Sequence, residues 1–258
     1  MDAVTRFAEL AGQPDPPLDQ AALALAAGAD PTLDPVPWLA QLDRLAAGVG
    51  SLDQLLHRLF VQEGFAGNER NYHDPRNSLL NHVLRRRLGI PITLAVVAIE
   101  VGRRAGVALE GVGMPGHFLV RVVGTQDCLD VYAGGAPLTP AECEQRFRSV
   151  TGAGPQVPFG PHLLATASTT TILIRMLQNL RAVFRSRSRP FDLEWVLRMR
   201  LALPGSGLPE VLELADTLGA QARWADGAQL LEQQLPDLEP AQAEQLSVAA
   251  RSLRAHLN

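Results

Sequence analysis

The chain contains no lysine. All 23 of its Lys/Arg positions are therefore arginine, set against 27 acidic residues and a net charge of −4. Beside abundant Ala, Leu, Gly and Pro, the missing lysine reads as a coding bias, so arginine by itself carries less meaning than usual. The acidic balance supplies no long-range pull toward nucleic acid or an anionic membrane. Cysteine is almost as scarce, with Cys128 and Cys143 only. Two thiols exclude a disulfide framework and fit a reducing, cytoplasmic setting. No apolar run is long enough to span a bilayer, residues 92–99 being among the longest, and no basic segment leads into an apolar stretch near Met1. A phosphate-binding glycine loop is missing too, because GVGMPG leads into a strand rather than opening a helix.

What remains is the composition of a folded chain, 47% apolar and 19% charged. Its 258 residues suffice for two domains, or for one with a helical extension. Residues 1–66 have a helical pattern broken by prolines, with amphipathic stretches at 18–29, 38–47 and 52–60. Residues 67–160 begin with a polar loop at 68–77. A helix at 79–88 stops at Gly89, and an apolar helix runs from Pro91 to near Gly106. Strands follow at 109–113, 118–123 and 128–132, and helices followed by antiparallel strands make an α+β core. Residues 161–258 are helical again: one long helix at 163–184, ended by an arginine and serine run, and four shorter ones at 193–203, 209–218, 224–235 and 241–257. Leu218, Gly219, Ala228 and Pro240 partly match a tetratricopeptide phrase, although the spacing from Gly219 to Ala228 is long for that repeat. An ordinary bundle fits as well.

The chemistry concentrates at His117 and Asp130, in PGHFLVRV and CLDVYAGG. Gly124 and Thr125 between two β-branched runs predict a hairpin with Arg121 opposite Cys128 and Leu119 opposite Asp130. His117 then lies diagonal to Asp130 on one face, at a backbone separation of roughly 7 Å that an imidazole and a carboxylate can bridge. Such a pair fixes the imidazole tautomer and stabilises its cation while the second ring nitrogen handles a proton. A surface hairpin with a satisfied histidine accounts for the same residues.

The string FVQEGFAGNERNYHDPRNSLLNHVLRRRLGIPITLAVVAIEVGRRAGVALEGVGMPGHFLVRV, with LDVYAGG and ILIRMLQNL after it, closely resembles the bacterial SirB-type family. The resemblance covers most of residues 20–258 and is strongest at 60–135. It implies a transglutaminase- or papain-like core with a small antiparallel sheet, an N-terminal helical layer and a tetratricopeptide-like tail. It assigns the core histidine to His117 and the acid to Asp130, ahead of Gly134 and Gly135. The family's usual Asp-Pro-Phe is here Asp130, Val131 and Tyr132, which keeps the acid and an aromatic but loses the proline.

In enzymes of the wider superfamily a cysteine starts the helix that here follows GIP, where the helix dipole and a nearby imidazolium lower its pKa. This chain has Ile92 and Thr93 instead. Thr93 has the only nucleophilic oxygen nearby, and the same hydroxyl is equally suited to capping the first helical turn. Cys128, two positions before Asp130, shares its face, but a sheet position favours a buried apolar thiol. Cys143 has no matching acid or base.

Tyr72, His73 and Asn77, with Asp74 and Ser78, stand at the entrance to the core helices. They either line a binding cleft with His117 or form a turn and capping network. His73, His82 and His117 lack the spacing of a metal site, and no cofactor signature is present. Two functions follow. One is a regulatory module binding a protein or peptide. The other is an amidase, peptidase or acyltransferase with Thr93 as nucleophile, His117 as base and Asp130 as orienter.

Overall fold

Apolar side chains occupy every side of residues 91–105, so a helix there has to be surrounded by protein. The computed structural model describes residues 1–257 and arranges the other elements around that helix. Four helices come first: α1 (Ala3–Ala11), α2 (Leu18–Ala27), α3 (Val36–Ala46) and α4 (Leu52–Leu56), the last continuing as a π-helical turn over His57–Gln62. The polar loop lies between β1 (Ala66–Gly67) and α5 (Leu80–Arg86), and β2 (Leu88–Gly89) pairs in parallel with β1. The central helix is α6 (Pro91–Ala105), begun by Pro91, whose missing N–H costs nothing at that position, and closed by Gly106.

Beyond it come β3 (Leu109–Val112), β4 (Leu119–Val122), β5 (Cys128–Asp130), β6 (Ala136–Leu138), α7 (Pro140–Thr151) and β7 (Thr166–Ala167). The five strands make one antiparallel sheet in the order β6-β5-β4-β3-β7. The chain ends in α8 (Thr169–Ser186), α9 (Pro190–Leu201), α10 (Leu208–Ala220), α11 (Trp224–Glu232) and α12 (Pro240–Ala255). This is the α+β class expected, with helices on both flanks of a small sheet.

α6 packs against α2, α3, α4 and α5, against β3 and β4, and against α8. Ile92, Leu94, Val96, Val97 and Val101 are all buried among them. The same apolar cluster takes in Phe7 of α1 and Leu218 of α10, so the three sequence segments share one core. The segments also meet in the sheet. β7 comes from beyond residue 160 and pairs with β3, Gly111 opposite Ala167 and Val112 opposite Thr166.

That strand changes the expected helix at 163–184, which begins only at Thr169. The open edge of β3 takes residues 166–167 as a strand, and Ser168 then caps α8 by accepting a bond from the Thr171 amide. The expected helix stop at Gly89 also moves. Arg87 ends α5 in a left-handed conformation (φ 61°), held by an ion pair of 2.6 Å to Glu63 and by stacking over the Phe65 ring.

The hairpin register agrees with the sequence reading, since Arg121 lies opposite Cys128 and Val120 opposite Leu129. Its turn is longer than two residues, because the Val123 amide leaves that ladder to bond Ala108.

A buried charge network ties the N-terminal layer to α6. Arg104 bonds Asp19 of α2, Asp43 of α3 and Glu100 of its own helix. Other arginines are likewise paired, Arg86 with Asp74 and Arg189 with Asp192. In the tail, Val211, Ala215, Ala228, Leu231, Leu246, Ala250 and Leu253 form a second apolar cluster across α10, α11 and α12. Among the described residues no helix is long and apolar enough to cross a membrane.

Candidate functional site

Asp130 ends β5 and turns its carboxylate back on the chain. Its Oδ1 accepts from the amides of Tyr132 and Ala133 at 3.0 and 3.3 Å, capping a single 3-10 turn. The same oxygen lies 3.0 Å from Nε2 of His117, which precedes β4. Arg146 of α7 stands 3.2 Å from Oδ2 as an ion pair without hydrogen-bond alignment. Asp130 is fully buried and His117 is 6% exposed. Burial by itself raises the Asp130 pKa. The bond from His117, the charges of His117 and Arg146, and the Ala133 amide outweigh it and hold the carboxyl below its ordinary value. The acid directs the ring proton to Nε2, and no protein group among the described residues bonds Nδ1.

Gly116 delivers His117 to this position. It adopts φ 75°, and a Cβ there would meet Val150 Cγ2 of α7 at 2.8 Å. Only glycine suits both the conformation and the space.

A cleft of about 250 Å³ opens beside the ring. Pro91 and Ile92 of the first turn of α6 line one side, Tyr72 of the polar loop another, and Arg175, Gln178 and Asn179 of α8 a third. Tyr72 stands edge-on to Tyr132, and Tyr132 edge-on to His117, each with ring centroids 6.2 Å apart. Burial raises the phenol pKa of Tyr72, against an opposing effect of Arg175.

Thr93 is elsewhere. Its side chain is fully buried and its hydroxyl serves backbone alone: it lies 2.6 Å from the Asn77 carbonyl and 3.1 Å from that of Ile90, and accepts the Ile90 amide at 3.1 Å. Close approach of β2 permits this, since a Cβ on Gly89 would lie 2.9 Å from the Thr93 oxygen. At the helix start it is Ile92, one residue earlier, that reaches the cleft.

The other three expected binding residues separate in the same way. Tyr72 lines the cleft, while His73 is exposed outside it and gives only its carbonyl to Arg187. Asn77 is fully buried, which corrects its placement as a ligand contact. Its amide nitrogen donates to the carbonyls of Asn71 and Tyr72, and its oxygen accepts from Asn68 and Arg86. Asn77 therefore shapes the loop that presents Tyr72.

Cys128 and Cys143 are buried neighbours in an apolar pocket with Val112, Met114, Leu119 and Phe147. Burial raises both thiols, and Cys143, next to Cys128, is pushed up to about 12. Neither is activated. A larger groove of about 710 Å³ lies between α8, α9 and α10, bordered by Arg181 and Glu213, and no histidine or cysteine lines it. No three His, Cys, Asp or Glu side chains among the described residues are placed to hold a metal.

The sequence reading missed Arg146, Arg175, Gln178 and Asn179. A signal existed for the last three, because positions i, i+3 and i+4 of ILIRMLQNL share one helix face. What that face meets is set by α8 packing against α6.

A family model described as transglutaminase-like superfamily matches residues 20–178, which includes the cleft residues of α6, the hairpin and Arg175. A UPF0162 protein of Pseudomonas aeruginosa is 34% identical over 200 residues, 74% of this chain and 73% of that protein. A UPF0162 protein of Xylella fastidiosa is 46% identical over 134 residues, 51% of this chain, and the match spans 48% of that relative's length. The mouse protein called F-box only protein 21 is 34% identical over 140 residues, half of this chain and 21% of its own length. No solved structure matches. An α+β core with its histidine just before one strand and its acid at the end of the next, matched over this span, belongs to the transglutaminase-like superfamily, and the chain is a member of the UPF0162 family within it.

Proposed function

We propose that this protein is a regulatory module that binds a protein or peptide in a transglutaminase-like cleft and does not use cysteine chemistry. The observation that carries this reading is the first turn of α6. Ile92 lines the cleft where a nucleophile would have to stand, and the Thr93 hydroxyl is held by Asn77 and Ile90. An isoleucine side chain has no lone pair with which to attack a carbonyl. In F-box only protein 21 the related segment is about a fifth of a longer chain, in keeping with a unit used as a module. The SirB-type resemblance adds a tetratricopeptide-like tail, and stacked helical pairs of that kind make surfaces suited to extended ligands.

The intact His117–Asp130 pair favours a second reading, an amidase, peptidase or acyltransferase with Thr93 as nucleophile. That reading requires the Thr93 hydroxyl to leave two backbone partners and reach the cleft before it attacks. Labelling with acyl electrophiles separates the two. Wild type and His117→Ala are expected to label equally weakly, and His117-dependent labelling would overturn the binding reading.

A further inference from the structure

We infer that the cleft beside His117 is a carboxylate site, occupied by the C-terminal end of a peptide. The inference rests on the peptide-binding reading and names the part of the peptide that is held.

The charges in the cleft point one way. No Asp or Glu lines it. Arg175 does line it, half-buried, and none of the described carboxylates pairs with its guanidinium. Three hydrogen bonds from Arg175, two to the Met114 carbonyl and one to that of His117, leave two of its five N–H groups without a partner among the described residues. Its guanidinium stacks over the Phe118 ring and burial lowers its pKa against the opposing effect of Tyr72, so an incoming anion supplies the carboxylate partner it lacks. Asp130 lies behind the ring, occupied by His117 and Arg146.

The start of α6 adds to this. The helix is 15 residues long, and Pro91 and Ile92 of its first turn line the cleft, Pro91 lacking an N–H and the Ile92 amide bonded to nothing among the described residues. Free amides and the positive end of the dipole favour an anion. His117, over nine-tenths buried and bonded to Asp130 through Nε2, lines the same cleft, and its Nδ1 has no partner among the described residues. When both ring nitrogens carry a proton, Nδ1 donates to a carboxylate.

Size and walls select the source of the carboxylate. The cleft, about 250 Å³, is smaller than the roughly 300–1,000 Å³ of sites for drug-sized ligands, and so admits a chain end. Ile90, Ile92 and Phe118 give apolar surface for one terminal side chain beside the charged end.

The test is calorimetric titration of the full chain with N-acetyl-alanyl-alanine and with its C-terminal amide. The acid is expected to bind at least about tenfold more tightly, the equivalent of one charge-assisted contact. Gln178→Glu and Asn179→Asp keep side-chain shape and add a negative charge to the cleft. Each is expected to weaken the acid about tenfold relative to the amide and to keep the wild-type melting curve. Equal affinity for acid and amide overturns the carboxylate assignment while the peptide-binding reading stands. Unchanged acid affinity in both variants overturns it as well. Failure of both peptides to bind at millimolar concentration removes the assignment together with the peptide reading. Acetate and inorganic phosphate serve as competitors; if phosphate displaces the acid peptide better than acetate does, the site is a phosphate site and the assignment fails. His117-dependent acyl labelling would sink the non-catalytic reading alone and leave the difference between acid and amide untouched.

Discussion

The imidazole of His117, which lines the cleft, meets Asp130 through Nε2, 3.0 Å from Oδ1, and Nδ1 is left without a partner among the described residues. The same Oδ1 accepts two amides of its own turn, so the acid is oriented before the histidine arrives. The chain therefore carries a preorganised base and orienter beside a helix start that presents Ile92.

Asp130 makes stability depend on pH in one direction. Its folded pKa lies below the ordinary carboxylate value, so its stabilisation is present above the unfolded pKa and is lost as pH falls through the depressed one. Asp130→Asn is expected to lose about 2 kcal/mol at neutral pH, through unpaired His117 and Arg146. Its acid limb in urea unfolding should be flatter than that of wild type. Parallel acid limbs would remove Asp130 from the account.

Thr93 is expected to act through structure. Thr93→Val keeps the volume but strands the Ile90 amide, and should cost about 1–3 kcal/mol in urea unfolding. Thr93→Ser should recover most of that loss. A stable valine variant would contradict the capping role.

Placing a thiol at the cleft position of α6 tests the geometry directly. Ile92→Cys is expected to react with iodoacetamide at neutral pH, because the helix start and His117 favour the thiolate. Adding His117→Ala should slow that reaction. Cys128 and Cys143, buried and with raised pKa values, should stay unmodified in the native protein. An Ile92→Cys variant no more reactive than wild type would show that residue 92 does not face the base.

The arginine hub between α2, α3 and α6 has its own pH signature. Asp19 and Glu100 are 4% and 3% exposed, and Arg104 is shared between them. Arg104→Leu is expected to cost about 3 kcal/mol at neutral pH, because two buried carboxylates lose their more buried cation and keep only the exposed Arg103. Burial and Asp19 raise the Glu100 pKa, so on acidification it takes up its proton earlier than an ordinary carboxylate. The deficit in thermal stability should therefore shrink on acidification and grow as pH rises through that value. An equal deficit at both pH values would count against the hub.

Local periodicity made much of this legible. Alternation in 118–123 and 128–132 set which residues share a face, and the register of Arg121 against Cys128 followed from it, although the turn proved longer. The helix from Pro91 to Gly106 carried both its start and its stop in its own residues. The segments that departed were those with a distant partner. Residues 166–167 became a strand because β3 offers an open edge, and α5 stopped at Arg87 because Glu63 and Phe65 hold that side chain.

The sequence alone determined the α+β class and the hairpin register, since side-chain alternation has a fixed period of two and needs no distant contact. The tertiary structure decided which residue at the start of α6 meets the histidine. One step along a helix turns a side chain by roughly 100°, and the packing of α6 among its neighbours sends Thr93 to the Asn77 carbonyl and Ile92 to the cleft. It also brought Arg175 beside His117 from 58 residues away, a convergence set by the packing of α8 on α6.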